Sequence, residues 1–180
     1  AIHGYNHPVL NQAIETQLKS MAHIMFGGLT HQPAIELAKK LISITAEPLQ
    51  HVFFADSGSV SVEVAIKMAI QYWPANGQNN KQKLLTTRGG YHGDTFGAMA
   101  VCDPENGMHS QFKDVLAEHY FVGKPSCDDN TANIAQLHTT LKANHQHIAA
   151  VIIEPIVQGA GGMNFYCADY LTQLRALCDQ

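Results

Sequence analysis

The chain has 180 residues, of which 46% are hydrophobic and 14% charged, enough apolar material for a sizeable core and too little charge for a disordered segment. A net charge of −4, a pI near 6.2 and only two arginines, Arg88 and Arg175, argue against a nucleic-acid surface. No apolar run approaches the roughly 20 residues that span a bilayer, and the first residues lack the charged and apolar regions of a signal peptide. Four cysteines, Cys102, Cys127, Cys167 and Cys178, are widely spaced without a C-x-x-C, which predicts neither a zinc site nor a disulfide framework and makes a reducing cytoplasm the default.

Pro8, with Asn6 or His7 ahead of it, opens a helix whose residues Leu10, Ile14, Leu18, Met21 and Ala22 follow three-to-four spacing and form a packing face. Pro33 starts a second helix, with Ile35, Leu37, Ala38, Leu41 and Ile42 ahead of Pro48. Residues 52–55 form a short run of β-formers that predicts a buried strand. Ser57-Gly58-Ser59 then makes a turn, and a helix follows from Val60. That helix is apolar around most of its circumference, which predicts burial on more than one side, and Pro74 with Gly77 ends it. Residues 83–87 read as a strand, 96–101 as an apolar helix or strand, 119–122 as a short strand and 134–143 as a helix. Residues 149–155 form the best strand, an unalternating apolar run suited to a parallel sheet covered on both faces. A loop around Gly159 and Gly161 precedes a last helix from about Ala168. Strands alternating with helices predict an α/β domain with a mostly parallel sheet flanked by helices.

Three segments can carry chemistry. Ser57-Gly58-Ser59 places two hydroxyls and a glycine at the start of a helix, where free N–H groups and the positive end of the dipole suit a phosphate; the same serines also suit a plain N-cap. Gly89-Gly90-Tyr91-His92-Gly93-Asp94-Thr95 is a glycine-dense turn after a strand, carrying aromatic, imidazole and carboxylate groups. Glu154 stands at the carboxyl end of a strand, the edge where open α/β sheets bind ligands. The paired His145 and His147 lack a third ligand and read as surface residues. No G-x-x-x-x-G-K-[ST] is present, the Gly159-x-Gly161 loop has Asn164 where a dinucleotide fingerprint needs its third glycine, and no G-x-S-x-G exists, since Val60 and Ser61 follow Ser59.

Together, Ala55-Asp56-Ser57-Gly58-Ser59-Val60 with Val62-Glu63-Val64-Ala65, Tyr91-His92-Gly93-Asp94-Thr95-Phe96-Gly97-Ala98-Met99 and Ile153-Glu154-Pro155-Ile156-Val157-Gln158-Gly159 resemble the class III aminotransferases, fold-type I enzymes dependent on pyridoxal 5'-phosphate. His3-Gly4-Tyr5-Asn6-His7-Pro8, Met25-Phe26-Gly27-Gly28, Gln71-Tyr72-Trp73 and Val101-Cys102-Asp103-Pro104 are most similar to the branch of that class that serves biotin synthesis. Members of that branch take an amino group from S-adenosylmethionine and place it on 7-keto-8-aminopelargonate. The resemblance implies that Gly58 and Ser59 hold the cofactor phosphate, that Tyr91 lies against the pyridine ring, that Glu154 stands near the cofactor, and that Tyr91 and Asp94 face the substrate. It also implies a cytoplasmic homodimer without nucleic-acid, membrane or metal partners. Residues 1–45 would then be an N-terminal helical segment leading into the large cofactor-binding domain, and 46–180 part of that domain.

The sequence begins without methionine in already patterned residues and stops at 177–180 inside an amphipathic helix without a C-cap signal, so it reads as a fragment. In the family, the lysine that bonds the cofactor and the aspartate that pairs with the pyridinium nitrogen lie further along. None of the nine lysines here matches that lysine, so the fragment alone is expected to be inactive. Other class III aminotransferases acting on an ω-amino acid, ornithine or diamine, and a non-catalytic domain of the same fold, are the alternatives.

Overall fold

The structure, a computed structural model, describes residues 2–180. The chain divides into two compact units, one ending at Phe53 and the other running Phe54–Gln180. In the first, helix α1 (Pro8–Ser20) starts with its proline in the first turn, where the missing N–H costs nothing. Helix α2 (Gln32–Ser43) is capped by His31, whose Nδ1 accepts the Ala34 N–H at 3.1 Å. The apolar residues of α1 share a face as their spacing requires, but that face is exposed: Leu10, Ile14 and Leu18 lie open and no residue of α1 is buried. Periodicity sets which side of a helix is apolar and does not supply what covers it.

The second unit is built on a three-stranded parallel sheet of β1 (Lys83–Thr87), β2 (Tyr120–Val122) and β3 (Ile148–Val151), ordered β2-β1-β3. The central strand β1 is buried on both faces, and its alternating side chains divide the core. Leu84 packs with Ile66 of helix α3 (Gly58–Ala75) and with Val101, just past the short helix α4 (Phe96–Ala100). Leu85 packs on the opposite side with Val122, with Leu137 of helix α5 (Thr131–Asn144), and with Tyr170 and Leu174 of helix α6 (Ala168–Asp179). This is the helix–sheet–helix layering expected of an α/β domain. Trp73 Nε1 donates to the Ala149 carbonyl at 2.7 Å and ties the end of α3 to β3.

Four expectations need correction. Residues 52–55 are not a strand; they pair into neither sheet, and a strand persists only where a neighbour completes its ladder. Helix α3 is buried along one stripe at Ile66, whereas Met68 and Tyr72 lie open at 60% and 58% exposure, because a single sheet face covers it. The strand read over 149–155 is Ile148–Val151, so Glu154 stands in the irregular segment three residues beyond its carboxyl end. The loop after it closes as an antiparallel pair of two-residue strands, β4 (Val157–Gln158) and β5 (Asn164–Phe165).

The cysteines also differ from expectation. Cys127 and Cys167 are disulfide-bonded across 40 residues, with Cα atoms 4.8 Å apart, within the usual bridging range. The Asn164 side-chain amide donates to the Pro125 carbonyl at 3.0 Å, drawing the loop after β2 against the segment that leads into α6. Spacing along the chain carries no record of that approach.

Candidate active site

The site assembles at the carboxyl ends of β1 and β3, where the start of α3, the loop after β1 and the segment after β3 meet. Ser57 N-caps α3, its Oγ accepting the Val60 N–H at 3.1 Å, and this leaves the N–H groups of Gly58 and Ser59 without an acceptor among the described residues. Ser57 is therefore the capping serine, and Ser59 does something else: its Oγ accepts the Asp94 N–H at 3.0 Å and ties α3 to the loop after β1. Gly58 has ordinary helical backbone, and a Cβ built on it would meet no atom within 4 Å. The fold itself does not require glycine there. Two unclaimed N–H donors at a helix start, beneath open space that only a hydrogen keeps clear, fit a phosphate.

Gly93 is a different case. It has φ +129°, and a Cβ there would collide with Ser59 Oγ and come within 2.8 Å of Ser59 Cα. The loop meets α3 at this point, and the approach demands a residue without a side chain.

The loop itself is pinned by buried acceptors. Asp103, 4% exposed, accepts Gly89 N–H at 2.6 Å through Oδ2 and the Glu105 and Asn106 N–H groups at 2.9 and 3.0 Å through Oδ1. Burial pushes its carboxyl up, but those three donors with the Arg88 guanidinium outweigh burial and hold it below the usual carboxylate range. Arg88 also meets Glu105 at 2.9 Å. The buried Cys102 thiol accepts the His92 N–H at 3.1 Å and donates to the Ala98 carbonyl at 3.2 Å; burial raises its pKa, so it is a structural thiol. Burial likewise lowers the pKa of His92, whose Nε2 lies 3.4 Å from Thr86 Oγ1.

Glu154 bridges two loops, one oxygen accepting the Tyr91 N–H at 2.8 Å and the other the Gly159 N–H at 2.9 Å. Its backbone carbonyl accepts the Tyr166 hydroxyl. The Tyr91 hydroxyl donates to Asp94 Oδ2 at 2.7 Å, and His109 Nε2 reaches Asp94 Oδ1 at 2.9 Å while its ring stacks on Tyr91. The hydrogen bond to Asp94 pushes the Tyr91 phenol up to about 12, and the Tyr91 and His109 donors hold the Asp94 carboxyl down.

Ser59, Asp94, Tyr91 and Glu154 thus form one bonded series, with Gly58 beside Ser59 at its open end. Two further participants escaped the sequence reading. Glu63 accepts the Gly97 N–H at 2.7 Å, anchoring the start of α4 on α3. It lies one turn beyond Ser59 on α3, a spacing that marks a shared face. His109 lies fifteen residues from Asp94, with no periodic relation to it. A cavity of about 900 Å³ lined by residues such as Trp73, Lys81, Leu141 and Arg175 includes none of these site residues. Among the described residues no group of His, Cys, Asp and Glu could hold a metal ion, and no helix is long and apolar enough to cross a membrane.

The adenosylmethionine-8-amino-7-oxononanoate aminotransferase of Buchnera aphidicola from Acyrthosiphon pisum is 54% identical over 184 residues, covering 99% of this chain and 42% of that protein. The protein of the same name from Mycobacterium leprae is 52% identical over 178 residues, covering 99% and 41%. The chain therefore spans less than half the length of these curated relatives. The crystal structure of adenosylmethionine-8-amino-7-oxononanoate aminotransferase from Methanocaldococcus jannaschii superposes with a TM-score of 0.90 at 32% identity, covering 97% of this chain and 39% of that one. An amine transaminase from an uncultivated Pseudomonas species, in its PLP-bound form, gives 0.82 at 34% identity, covering 97% and 42%. The parallel sheet and its helices are thus part of the fold-type I transferase architecture. The aminotransferase class-III family matches residues 1–180, so the chain belongs to the class-III aminotransferases.

Proposed function

We propose that the complete protein is a pyridoxal-phosphate-dependent aminotransferase that moves an amino group from S-adenosylmethionine to 8-amino-7-oxononanoate (7-keto-8-aminopelargonate), giving 7,8-diaminononanoate in biotin synthesis. The observation that carries this reading is the joining of the α3 start, the Tyr91–Asp94 loop and Glu154 by direct hydrogen bonds, in a chain half identical to relatives of that name. When bound, the cofactor supplies an electron sink that makes the amine-bearing carbon of a substrate acidic.

The chain's own residues do the rest. The Gly58 and Ser59 N–H groups, at the positive end of an 18-residue helix, bind the phosphate. Tyr91, fixed at its backbone by Glu154 and at its hydroxyl by Asp94, offers a ring face to the pyridine, a contact worth on the order of 1 kcal/mol beyond burial, and excludes water from that side. Asp94 remains ionised and attracts a cationic donor: S-adenosylmethionine carries both a sulfonium and an amine. A homodimer working in the cytoplasm belongs to the same proposal, as does the assignment of residues 1–45 to a helical segment leading into the large domain.

Amine transaminases of the same architecture favour a second reading, an ω-amino acid or diamine as donor. A donor panel decides between them. Purified complete protein, given 8-amino-7-oxononanoate, should form the diamine with S-adenosylmethionine and should restore growth to a biotin auxotroph. Failure of both, together with efficient use of an ω-amino acid or ornithine, would move the assignment to the second reading.

A further inference from the structure

We propose that His109 is a positioning residue for amino transfer: it holds the Asp94 carboxylate in the plane that orients the Tyr91 hydroxyl, and so fixes the tyrosine ring from a second loop. The proposal rests on the roles of Tyr91 and Asp94 given above. His109 itself contacts the pair and takes no direct part in the reaction.

Asp94 is poorly placed to hold anything alone. Its side chain is 66% exposed and sits on a turn, so free rotation about two bonds would swing the carboxylate through solvent. Two donors on its two oxygens remove that freedom, and they come from different parts of the chain. Tyr91 Oη lies 2.7 Å from Oδ2, three residues back on the same turn, and His109 Nε2 lies 2.9 Å from Oδ1, fifteen residues further on. Of the two donors, the imidazole is the more firmly held: His109 is buried, with its side chain 10% exposed, whereas Tyr91 is half-buried. A carboxylate can only accept, so Nε2 carries the hydrogen. Nδ1 is buried and has no hydrogen-bond partner among the described residues, so no competing bond turns the ring away from Asp94.

The ring makes a second contact with the same assembly. It stacks on Tyr91 with centroids 6.1 Å apart and planes 22° from parallel, so one side chain restrains both the hydroxyl end of the tyrosine, through Asp94, and a face of its ring. The backbone end of Tyr91 is held independently by Glu154. Loss of His109 would leave the tyrosine in place at its backbone and loose at its hydroxyl. That pattern separates positioning from a general collapse of the loop.

The test uses the complete protein with His109→Ala and His109→Gln, the latter keeping an N–H donor on a chain of similar reach. The first measurement needs no turnover: the ring-carbon NMR signal of Tyr91 in tyrosine-labelled protein, assigned as the one lost in Tyr91→Phe. It should move in His109→Ala and return part of the way in His109→Gln, which restores the donor to Asp94 but not the stacked ring. The second is kinetic. His109→Ala should lower kcat with S-adenosylmethionine about tenfold with a smaller change in KM, and should cost nothing further in a Tyr91→Phe background. An unmoved Tyr91 signal, or an equal loss in both backgrounds, would overturn the role. A wild type without amino transfer would overturn the functional reading instead, and the NMR arm would still decide whether His109 orients Tyr91.

Discussion

Gly58→Ala separates what the fold needs from what a ligand needs. Gly58 is not in the left-handed region, and a methyl there would meet nothing within 4 Å. Alanine in helical backbone removes the conformational freedom of glycine in the unfolded chain, which favours the folded state by about 0.4–1 kcal/mol. The cofactor-free variant should therefore melt at the same temperature as wild type or slightly above it. The effect on the cofactor runs the other way. The methyl occupies the space through which a phosphate reaches the Gly58 and Ser59 N–H groups, and losing one hydrogen bond to a charged group costs about 1.5–3 kcal/mol. Affinity for pyridoxal phosphate should fall roughly ten- to a hundredfold. The assays are thermal melting of the cofactor-free complete protein and equilibrium titration with pyridoxal phosphate followed by absorbance. A destabilised cofactor-free variant would show that the fold requires glycine, and unchanged affinity would remove the phosphate from this helix start.

Gly93→Ala should behave in the opposite sense: left-handed backbone and a collision with Ser59 predict a loss of about 1–3 kcal/mol in the cofactor-free protein, read as a lower melting temperature, and an unchanged melt would contradict the geometry. Ser59→Ala keeps the backbone N–H but removes the acceptor of the Asp94 N–H, so it should loosen the Tyr91–Asp94 loop from α3 and weaken cofactor binding by about 1–3 kcal/mol; full affinity would show that this tie does not position the cofactor site. The folded state favours the protonated Tyr91 phenol, so its contribution to stability is complete below pH 10 and is lost as pH rises from 10 to about 12. In Asp94→Ala the Tyr91 titration, tracked by its labelled ring carbon, should drop toward 10, and a titration that stays near 12 would show that Asp94 is not the main cause. Peptide mapping without reductant, on protein handled without reducing agent, should recover residues Cys127 and Cys167 in one cross-linked fragment, with Cys102 reacting with thiol reagents only after unfolding.

What the sequence revealed and what it hid divide along physical lines. Local signals were sufficient for β1, α5 and α6: a β-rich run between polar loops, or a three-to-four apolar repeat, is a property of neighbouring residues. Proline gave the start of α1 because its constraint acts on its own backbone. Residues 52–55 failed because β-formers specify a preference and a neighbour supplies the hydrogen bonds. The exposed faces of α1 and α3 failed for the same reason, since an apolar stripe does not name its cover. At the site, Gly58, Ser59, Tyr91, Asp94 and Glu154 were legible as motif residues, but their connections were not. Ser57 proved to be the cap and Ser59 the tie to Asp94, a division that two adjacent hydroxyls cannot express in sequence. The β4–β5 pair, with two residues per strand, is too short to leave a period. His109 and the cysteine bridge are pure tertiary proximity.

In the proposed enzyme, an anion held by the first turn of α3 places the cofactor between the Tyr91–Asp94 loop and Glu154. The most direct measurement is a crystal structure of the complete protein with pyridoxal phosphate. Phosphate oxygens should lie within hydrogen-bond distance of the Gly58 and Ser59 N–H groups, with the pyridine ring against Tyr91. A phosphate bound elsewhere, with those two N–H groups turned to solvent, would contradict that placement.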